Sequence, residues 1–333
     1  MTVTIRDVSK KSGYSVATVS RVINDSDLVT EETKKKVGQV IEELGFVPNN
    51  TARGLSTRKS FAIGMIVPNI SNPFFGELIK GAEEAAGEKG FNIIILNSSY
   101  NNEKTIKDIM ILKSRNVDGI IMSSADFDES IYNTLVENNI PFVLTGPVSS
   151  NHEINYVSID NLEGAKKATE HLVKLGHKRI GYMAGDYASY LNKLRLQGYS
   201  ETLKANNIKT DENLIFQENV EKNIIKLINM KPSERPTAIF TFNDYMALEY
   251  MEKLEEKGIK IPEDIAVVGF DNIKMASYYS IGLTTVDNRQ EEFGRKSFEL
   301  LLNIIKDKNE ETHQIITKPK LIIRKTCGAK SKN

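Results

Sequence analysis

The sequence predicts an α/β protein that is preceded by a small all-α unit. From Phe61 onward, short apolar runs alternate with amphipathic stretches, which is the pattern of parallel sheets covered by helices. Before Phe61, apolar residues recur only at helical spacing. The alternating part exceeds two hundred residues, and strand candidates lie on both sides of Asp160. We therefore expect two doubly wound units that divide near Asp160.

Length, charge and cysteine content set broad limits on the chain. Its 333 residues suffice for two or three compact units, and its net charge is zero. The first sixty residues carry ten Lys and Arg against seven Asp and Glu, a mild excess that is compatible with DNA as a partner. The single cysteine, Cys327, excludes an internal disulfide. No apolar leader or membrane-length run is visible, so we expect a cytoplasmic protein without a membrane partner.

The stretch Thr4–Asn24, TIRDVSKKSGYSVATVSRVIN, predicts two short helices joined by a tight turn. Thr4 can cap the first helix, and Gly13 ends it. Ser15 offers a hydroxyl to cap a second helix that continues through Ile23.

The second of these helices has one apolar side and one nearly bare side. Val19 and Ile23 are four residues apart and stack together, so Arg21 points the opposite way, flanked by Ala17 and Thr18. A helix of this kind can lie close in the major groove, where Arg bonds guanine O6 and N7 together. The pattern predicts a helix-turn-helix that reads DNA; the alternative is a surface helical hairpin with a stray Arg.

Two further segments complete the first unit. Thr30–Leu44 predicts a third helix with an apolar stripe that closes a small core over Val8, and its Lys34–Lys36 run is either a solvated face or a phosphate contact. Phe46–Lys59 is too short and too glycine-containing for a stable isolated helix. It is either a linker or a hinge that becomes helical on an anionic partner.

Eight apolar runs after Phe61 are strand candidates, and amphipathic stretches between them are helix candidates. The strand candidates are Ala62–Val67, Phe91–Leu96, Gly119–Met122, Phe142–Leu144, Tyr156–Ile159, Ile180–Met183, Ala238–Thr241 and Ile265–Val268. The helix candidates include Pro73–Lys89, Glu103–Ser114, Asn161–Leu175, Leu191–Asn206 and Asp244–Glu256.

Polar and aromatic side chains follow five of these strands. In open α/β sheets, ligands bind at the carboxyl ends of strands. Carboxylates and amides suit vicinal hydroxyls, and aromatic faces cover the C–H face of a sugar ring. Asn161 and Asp244 are more simply explained as helix caps. The strand ends together favour a cleft for a polar, hydroxyl-rich ligand.

The sequence contains little evidence of an enzyme active site. It has no GxxxxGK, no GxGxxG after a strand and no GxSxG. The histidines, at positions 152, 171, 177 and 313, are scattered, and His171 and His177 are six residues apart, which is not the spacing of a helical metal site. We therefore predict no catalytic residue, no cofactor and no metal.

Several segments resemble the lactose-repressor (LacI/GalR) family of bacterial transcription regulators, in the order the family has them across essentially the whole chain. They are TIRDVSKKSGYSVATVSRVIN, FVPNNTARGL, IVPNISNPFF, RLQGY, FTFNDYMALEYMEKL and IPEDIAVVGFDN. The resemblance implies a homodimer or tetramer that binds a pseudo-palindromic operator with one helix-turn-helix per half-site. The basic tail after Cys327 has no leucine heptads, which favours the dimer.

The resemblance also implies which residues contact DNA. Val16, Ala17 and Arg21 would read base edges, while Thr18 and Ser20 would position the helix on phosphates. Leu55 matches a hinge leucine that wedges into the minor groove. The complete expected set is Thr4, Ser15, Val16, Ala17, Thr18, Ser20, Arg21, Asn24, Asn49, Ala52 and Leu55.

For the rest of the chain, the resemblance implies a periplasmic-binding-protein-like effector domain of two lobes joined by three crossings. The DNA-binding domain would be residues 1–58, with a hinge helix at about 48–57. Lobe one would be residues 60–158 and 288–318, and lobe two 160–286 and 319–328, of an effector and dimerisation domain 60–333. The expected effector contacts are Ser71, Phe74, Phe75, Ser123, Asp126, Arg195, Asn243 and Asp271.

These expectations describe a repressor of carbohydrate-utilisation genes with a sugar-like effector. Two features depart from the family pattern: Asn272 stands where a second Asp is common, and Asp186–Lys193 is rich in Tyr. The alternatives are a regulator controlled by a phosphorylated carrier protein and one controlled by a nucleobase corepressor. An exported sugar receptor would need a signal peptide and would have no use for Thr4–Asn24.

Overall fold

The computed structural model describes residues 3–23, 26–46, 60–124, 127–150, 152–185, 189–217, 219–306 and 311–329. The chain divides into two compact units, Met1–Phe61 and Ala62–Asn333.

The described part of the first unit contains three helices, as the sequence predicts: α1 (Ile5–Ser12), α2 (Val16–Ile23) and α3 (Glu31–Leu44). One buried side chain from each helix forms the core. Val8, Val19 and Val37 are each 0% exposed, and half-buried apolar residues surround them.

The ends of these helices follow from local chemistry. The Thr4 N–H donates to the Asp7 carboxylate at 2.8 Å, and Gly13 ends α1 in the left-handed region at φ +76°. Ser15 Oγ accepts from the Thr18 N–H at 3.1 Å, which confirms Ser15 as the cap of α2.

The second unit alternates strands and helices. Its strands are β1 (Ala62–Val67), β2 (Asn92–Asn97), β3 (Gly119–Ser123), β4 (Phe142–Thr145), β5 (Tyr156–Ile159), β6 (Ile180–Met183), β7 (Ile215–Phe216), β8 (Ala238–Thr241), β9 (Ala266–Asp271), β10 (Thr284–Asp287), β11 (Gln314–Thr317) and β12 (Lys320–Ile322). Its helices are α4 (Pro73–Glu88), α5 (Asn102–Ser114), α6 (Glu129–Glu137), α7 (Asn161–Lys174), α8 (Tyr190–Ala205), α9 (Val220–Asn229), α10 (Asp244–Glu256) and α11 (Gln290–Lys306).

These strands form two six-stranded sheets. The first has the order β11-β5-β4-β3-β1-β2 and is parallel throughout, and the second has the order β12-β10-β9-β8-β6-β7. Only β12 in the second sheet is antiparallel, pairing with β10. The chain passes between the sheets after β5, after β10 and after β11, so three crossings connect them.

Strand periodicity separates two cores on the faces of the second sheet. Along β8, Ala238 and Phe240 belong to one cluster, whereas Ile239 belongs to the other. Along β9, Val268 and Val267 divide in the same way. Both faces of these strands are buried, which explains why they are continuous apolar runs in the sequence.

Helices α4 and α11 touch through their backbones. A Cβ on Gly81 would lie 1.9 Å from the Glu291 carbonyl oxygen, and a Cβ on Gly294 would lie 1.9 Å from the Leu78 carbonyl oxygen. Glycine at both positions is therefore a packing requirement.

All eight predicted strands are present, and the five named helix candidates begin and end within one residue of the prediction. Four strands have no counterpart in the prediction: β7, β10, β11 and β12. They are two to four residues long, and three of them contain polar residues. Strand β9 continues to Asp271 because its last residues pair with β10.

Within the described residues, no helix is long and apolar enough to span a membrane.

Candidate functional sites

The outer face of α2 is free of the core, as its sequence predicts. Val16 is 43% exposed, Ala17 and Arg21 are also exposed, and Val19 on the opposite side is fully buried. Arg21 is the one basic side chain on this face. The geometry gives a helix that can approach a groove with small side chains and a single guanidinium.

Hydroxyl groups near the start of α1 and α2 already have local partners. The Ser15 and Thr18 hydroxyls are 2.9 Å apart, and the Thr4 hydroxyl donates to the Asp7 carboxylate at 2.7 Å. These hydrogen bonds from Thr4 lower the pKa of Asp7. Ser20 is half-buried. The other expected DNA contacts, Asn24, Asn49, Ala52 and Leu55, lie outside the described residues.

The second unit contains a buried cation, Arg195, which is 2% exposed. Its Nε donates to Asn161 Oδ1 at 3.0 Å, and its Nη1 donates to the Phe242 carbonyl oxygen. Its Nη2 lies 3.7 Å from Asp271 Oδ1. The guanidinium carbon lies 3.6 Å from the ring centre of Phe270 and 4.6 Å from that of Phe242. Two rings, one amide and one carboxylate thus hold a single guanidinium.

Burial shapes the titration of this pair. Removal from water raises the pKa of Asp271 to about 6, although Arg195 opposes that change. Burial also lowers the pKa of Arg195, and Asp271 acts in the opposite direction. Asn288 and Gln290, which follow β10, hold Asp271 in place: Asn288 Nδ2 donates to the carboxylate Oδ1 at 3.3 Å, and Gln290 Nε2 donates to the backbone carbonyl oxygen of Asp271.

The chain brings these groups together at strand ends and sheet crossings. Asp271 is the last residue of β9, and Asn161 is the second residue after β5, where the chain first crosses between the sheets. Asn288 and Gln290 lie at the second crossing, after β10. Arg195 comes from the second turn of α8, whose cap is Ser189.

The helix caps are one residue earlier than the sequence suggested, so that interpretation of Asn161 and Asp244 was wrong. Asp160 caps α7 by accepting from Glu163 N at 2.9 Å, and Asn243 caps α10 by accepting from Met246 N at 2.8 Å. The residues after these caps, Asn161 and Asp244, are both buried.

Asp244 is a buried structural carboxylate. It accepts from Thr285 Oγ1 at 2.5 Å and from Ile273 N at 3.0 Å, and it is 0% exposed. Burial raises its pKa well above the ordinary value, with the Asp271 charge adding to this effect. It ties the start of α10 to β10.

The remaining expected effector contacts belong to segments at or after the ends of β1 and β3 in the sequence. Phe74 and Phe75 meet edge to face with ring centres 5.0 Å apart. Phe75 is buried, while Phe74 is half-buried and packs against a core cluster of the second sheet. Ser71 is exposed, Ser123 is half-buried at the end of β3, and Asp126 lies outside the described residues.

A separate cavity of about 310 Å³ opens beside the loops after β3 and β4. Its lining residues are Phe127, Asp128, Glu129, Ser149 and Ser150. The sequence did not indicate them individually, although they follow strands of the first sheet. Among the described residues, no group of three or more His, Cys, Asp or Glu is arranged to hold a metal ion.

Of the expected effector contacts, the structure brings Arg195 and Asp271 together, with Asn243 adjoining through its neighbour Phe242. Sequence reasoning missed the residues that hold this pair: Asn161, Phe242, Phe270, Asn288 and Gln290. Sequence position was the signal that could have indicated some of them, because Asn161, Asn288 and Gln290 lie where the chain crosses between the predicted lobes.

Two family models match the chain. The one described as "Bacterial regulatory proteins, lacI family" matches residues 4–49. The one described as "Periplasmic binding proteins and sugar binding domain of LacI family" matches residues 60–325.

Individual relatives match along nearly the full length. The HTH-type transcriptional repressor PurR of Vibrio atlanticus is 39% identical over 331 residues, covering 97% of this chain and 98% of the relative. The lac repressor dimer bound to operator and the anti-inducer ONPF has a TM-score of 0.82 at 27% identity, covering 99% of this chain and 100% of that one. A complex of the transcriptional regulator CelR with cellobiose has a TM-score of 0.72 at 30% identity, covering 97% and 99% of the two chains.

Proposed function

We propose that a small ring-shaped polar effector controls operator binding by this chain, which belongs to the LacI family of bacterial regulatory proteins and is a DNA-binding transcriptional repressor. We place the effector beside Arg195 and Asp271, and we propose a sugar as its chemical class and carbohydrate-utilisation genes as its targets. The observation that carries this proposal is the buried Arg195–Asp271 pair among aromatic rings.

The pair supports ligand binding because such an arrangement is costly when it serves stability alone. Burying two charges gains little over packed apolar residues, since both lose their hydration. A carboxylate that accepts and a guanidinium that donates can hold neighbouring hydroxyls of one ring. The half-buried ring of Phe74 offers an apolar face to such a ligand.

A sugar is favoured by two of the comparisons. The matching model of residues 60–325 is described as a sugar binding domain, and the CelR relative is a complex with cellobiose. A planar nucleobase would also stack on Phe74 and bond Arg195. The two classes are separate arms of the test below.

On the DNA side, we propose that Val16, Ala17 and Arg21 read base edges from the exposed face of α2. Thr18 and Ser20 would position the helix on phosphates, with Thr4, Ser15 and Asn24 near its ends. For residues 48–57 we propose a hinge helix that orders on the operator, with Asn49, Ala52 and Leu55 as its DNA contacts. Two copies of the chain would bind one pseudo-palindromic operator, because each copy supplies one α2.

We propose that residues 1–58 bind DNA and that residues 60–333 bind the effector and dimerise. Residues 60–158 and 288–318 would form lobe one, and residues 160–286 and 319–328 lobe two. The strands of the two sheets fall within these respective ranges, except that Ile159 ends β5 and Asp287 ends β10.

Regulation would then be a linkage between two sites. A compound bound beside Arg195 changes operator affinity only by its differential affinity for the arrangements that bind DNA well and poorly. Induction and corepression are the two signs of that difference.

The test has two stages on the full-length protein. Thermal-shift screening against monosaccharides, disaccharides and nucleobases identifies a binder, because a ligand of the folded state stabilises it by mass action. Operator affinity, on a site selected from random DNA, is then measured with and without that compound. We expect a sugar to bind and to change operator affinity. Binding by nucleobases alone would replace the sugar class, and a response only to a phosphorylated carrier protein would overturn the small-effector proposal.

A further inference from the structure

Asn192, in the first turn of α8, is 0% exposed, and its side-chain amide nitrogen, Nδ2, has no hydrogen-bond partner among the described residues. Its Oδ1 accepts from the Tyr182 hydroxyl at 2.9 Å and from the Gly185 N–H at 3.1 Å. A buried donor that bonds nothing destabilises a fold, because it loses its hydrogen bonds to water and gains none, so each such group calls for an explanation.

The orientation of this amide follows from its neighbours. The Gly185 N–H can only donate, so it requires the oxygen of Asn192 at that position. Exchanging the oxygen and nitrogen would set two N–H groups against each other. The unpaired group is therefore the amide NH2 group, with two hydrogens to donate.

Asn192 lies next to the proposed effector site. It precedes Arg195 by three residues on α8, which places both on one helix face. Its partner Tyr182 is also within electrostatic range of the Arg195 guanidinium. The unused donor is thus one helical turn from the cation that the proposed function already uses.

A second unpaired group flanks the same pair. Asn288 is 4% exposed, and its Nδ2 donates to Asp271 Oδ1, while its own Oδ1 has no partner within the described part of the chain. The Arg195–Asp271 pair is therefore bordered by one free donor and one free acceptor. Unpaired groups of opposite polarity indicate a ligand that carries both functions.

We propose that Asn192 and Asn288 are effector-recognition residues, with Asn192 Nδ2 donating to an acceptor on the ring and Asn288 Oδ1 accepting from a donor on it. This inference rests on the proposed function, because it requires a small effector beside Arg195. The effector is then a ring that carries one acceptor and one donor in addition to the groups that bind Arg195 and Asp271. Sugar hydroxyls provide both functions in one group.

The central variant is Asn192→Asp, because it retains an oxygen for Gly185 and Tyr182 and replaces only the unpaired NH2 group, with a carboxylate oxygen. The matched control is Asn223→Asp, another buried asparagine of the same unit, on α9. Its Nδ2 donates to the Tyr250 hydroxyl at 2.6 Å, and it takes no part in the contacts described for Arg195. Asn192→Ser removes the amide NH2 group without adding a carboxylate, and it replaces Asn192→Asp in the test if that variant does not fold.

The measurement is the affinity of full-length wild type and variants for cellobiose, D-ribose and every other compound in the sugar and nucleobase panel, with folding checked by circular dichroism. Loss of the donor should weaken binding about 10- to 100-fold in the Asn192 variants, while Asn223→Asp should stay within about threefold of wild type. Wild-type affinity in a folded Asn192 variant would overturn the inference and leave the proposed function standing. No binding of any compound to wild type would overturn the proposed effector class and this inference together.

Discussion

Arg195 carries a full charge in a position where water has almost no access. Such a residue is held by its partners, and here they come from three segments that are distant in sequence: Asn161, Phe242 and the adjacent pair Phe270 and Asp271. Its motif, RLQGY, was recognisable in the sequence. Its partners were not, because sequence spacing does not reveal which crossing segments meet at one point.

The raised pKa of Asp271 predicts how effector affinity depends on pH. With a pKa of about 6, the carboxylate is ionised at pH 7.5 and mostly protonated at pH 5. A hydroxyl donates to the ionised form, so affinity should be constant above about pH 7 and fall roughly tenfold by pH 5. Calorimetric titration of the panel compound across this range measures it. Asp271→Asn is the control, and an identical slope in that variant would assign the dependence to another group.

On α2, Arg21 is the residue whose loss should change sequence reading. We expect Arg21→Ala to weaken binding of the selected operator by about 1–3 kcal/mol and to relax discrimination at one base pair. Lys35→Ala, on an exposed position of α3, is the control for a general loss of positive charge. Equal weakening on operator and random DNA would show that Arg21 contacts phosphate alone.

Helices α4 and α11 approach each other so closely that their backbones are in contact. Gly81→Ala should destabilise the protein by about 3 kcal/mol or more, because the new methyl group would overlap the Glu291 carbonyl. Gly87→Ala, in the same helix, meets nothing within 4 Å and should be neutral or stabilising. Urea unfolding of both variants measures the difference; similar stabilities would mean that α4 and α11 separate at little cost.

The segment at residues 48–57 has a prediction of its own. If it orders only on DNA, Leu55→Ala should weaken operator binding and leave the melting temperature of the free protein unchanged, because Leu55 would be unburied without DNA. Gel-shift titration and calorimetry measure the two quantities. A clear drop in melting temperature would place Leu55 in a core instead.

At this scale the sequence predicted the strands that are buried on both faces well. Strands such as Ala238–Thr241 are continuous apolar runs, and the helices between them carry regular stripes. Two edge strands, Gln314–Thr317 and Lys320–Ile322, were not predicted from the sequence. They bury little surface and pair with strands that are far along the chain. Helix caps were misplaced by one residue because Asp160-Asn161 and Asn243-Asp244 each offer two equally good capping residues, and only tertiary packing chooses between them.

For the whole molecule, the central claim is that effector and operator binding are thermodynamically linked. Linkage is reciprocal, so the factor by which the effector changes operator affinity must equal the factor by which operator changes effector affinity. The size of this factor is typically about 5- to 150-fold. Two independent binding measurements therefore have to agree on one number.

The most direct test measures both factors on the full-length protein: operator affinity with and without saturating compound, and compound affinity with and without saturating operator. We expect equal factors clearly different from one in wild type, and no effect of the compound on operator affinity in folded Arg195→Ala. An unchanged operator affinity in wild type, or an undiminished response in Arg195→Ala, would contradict it.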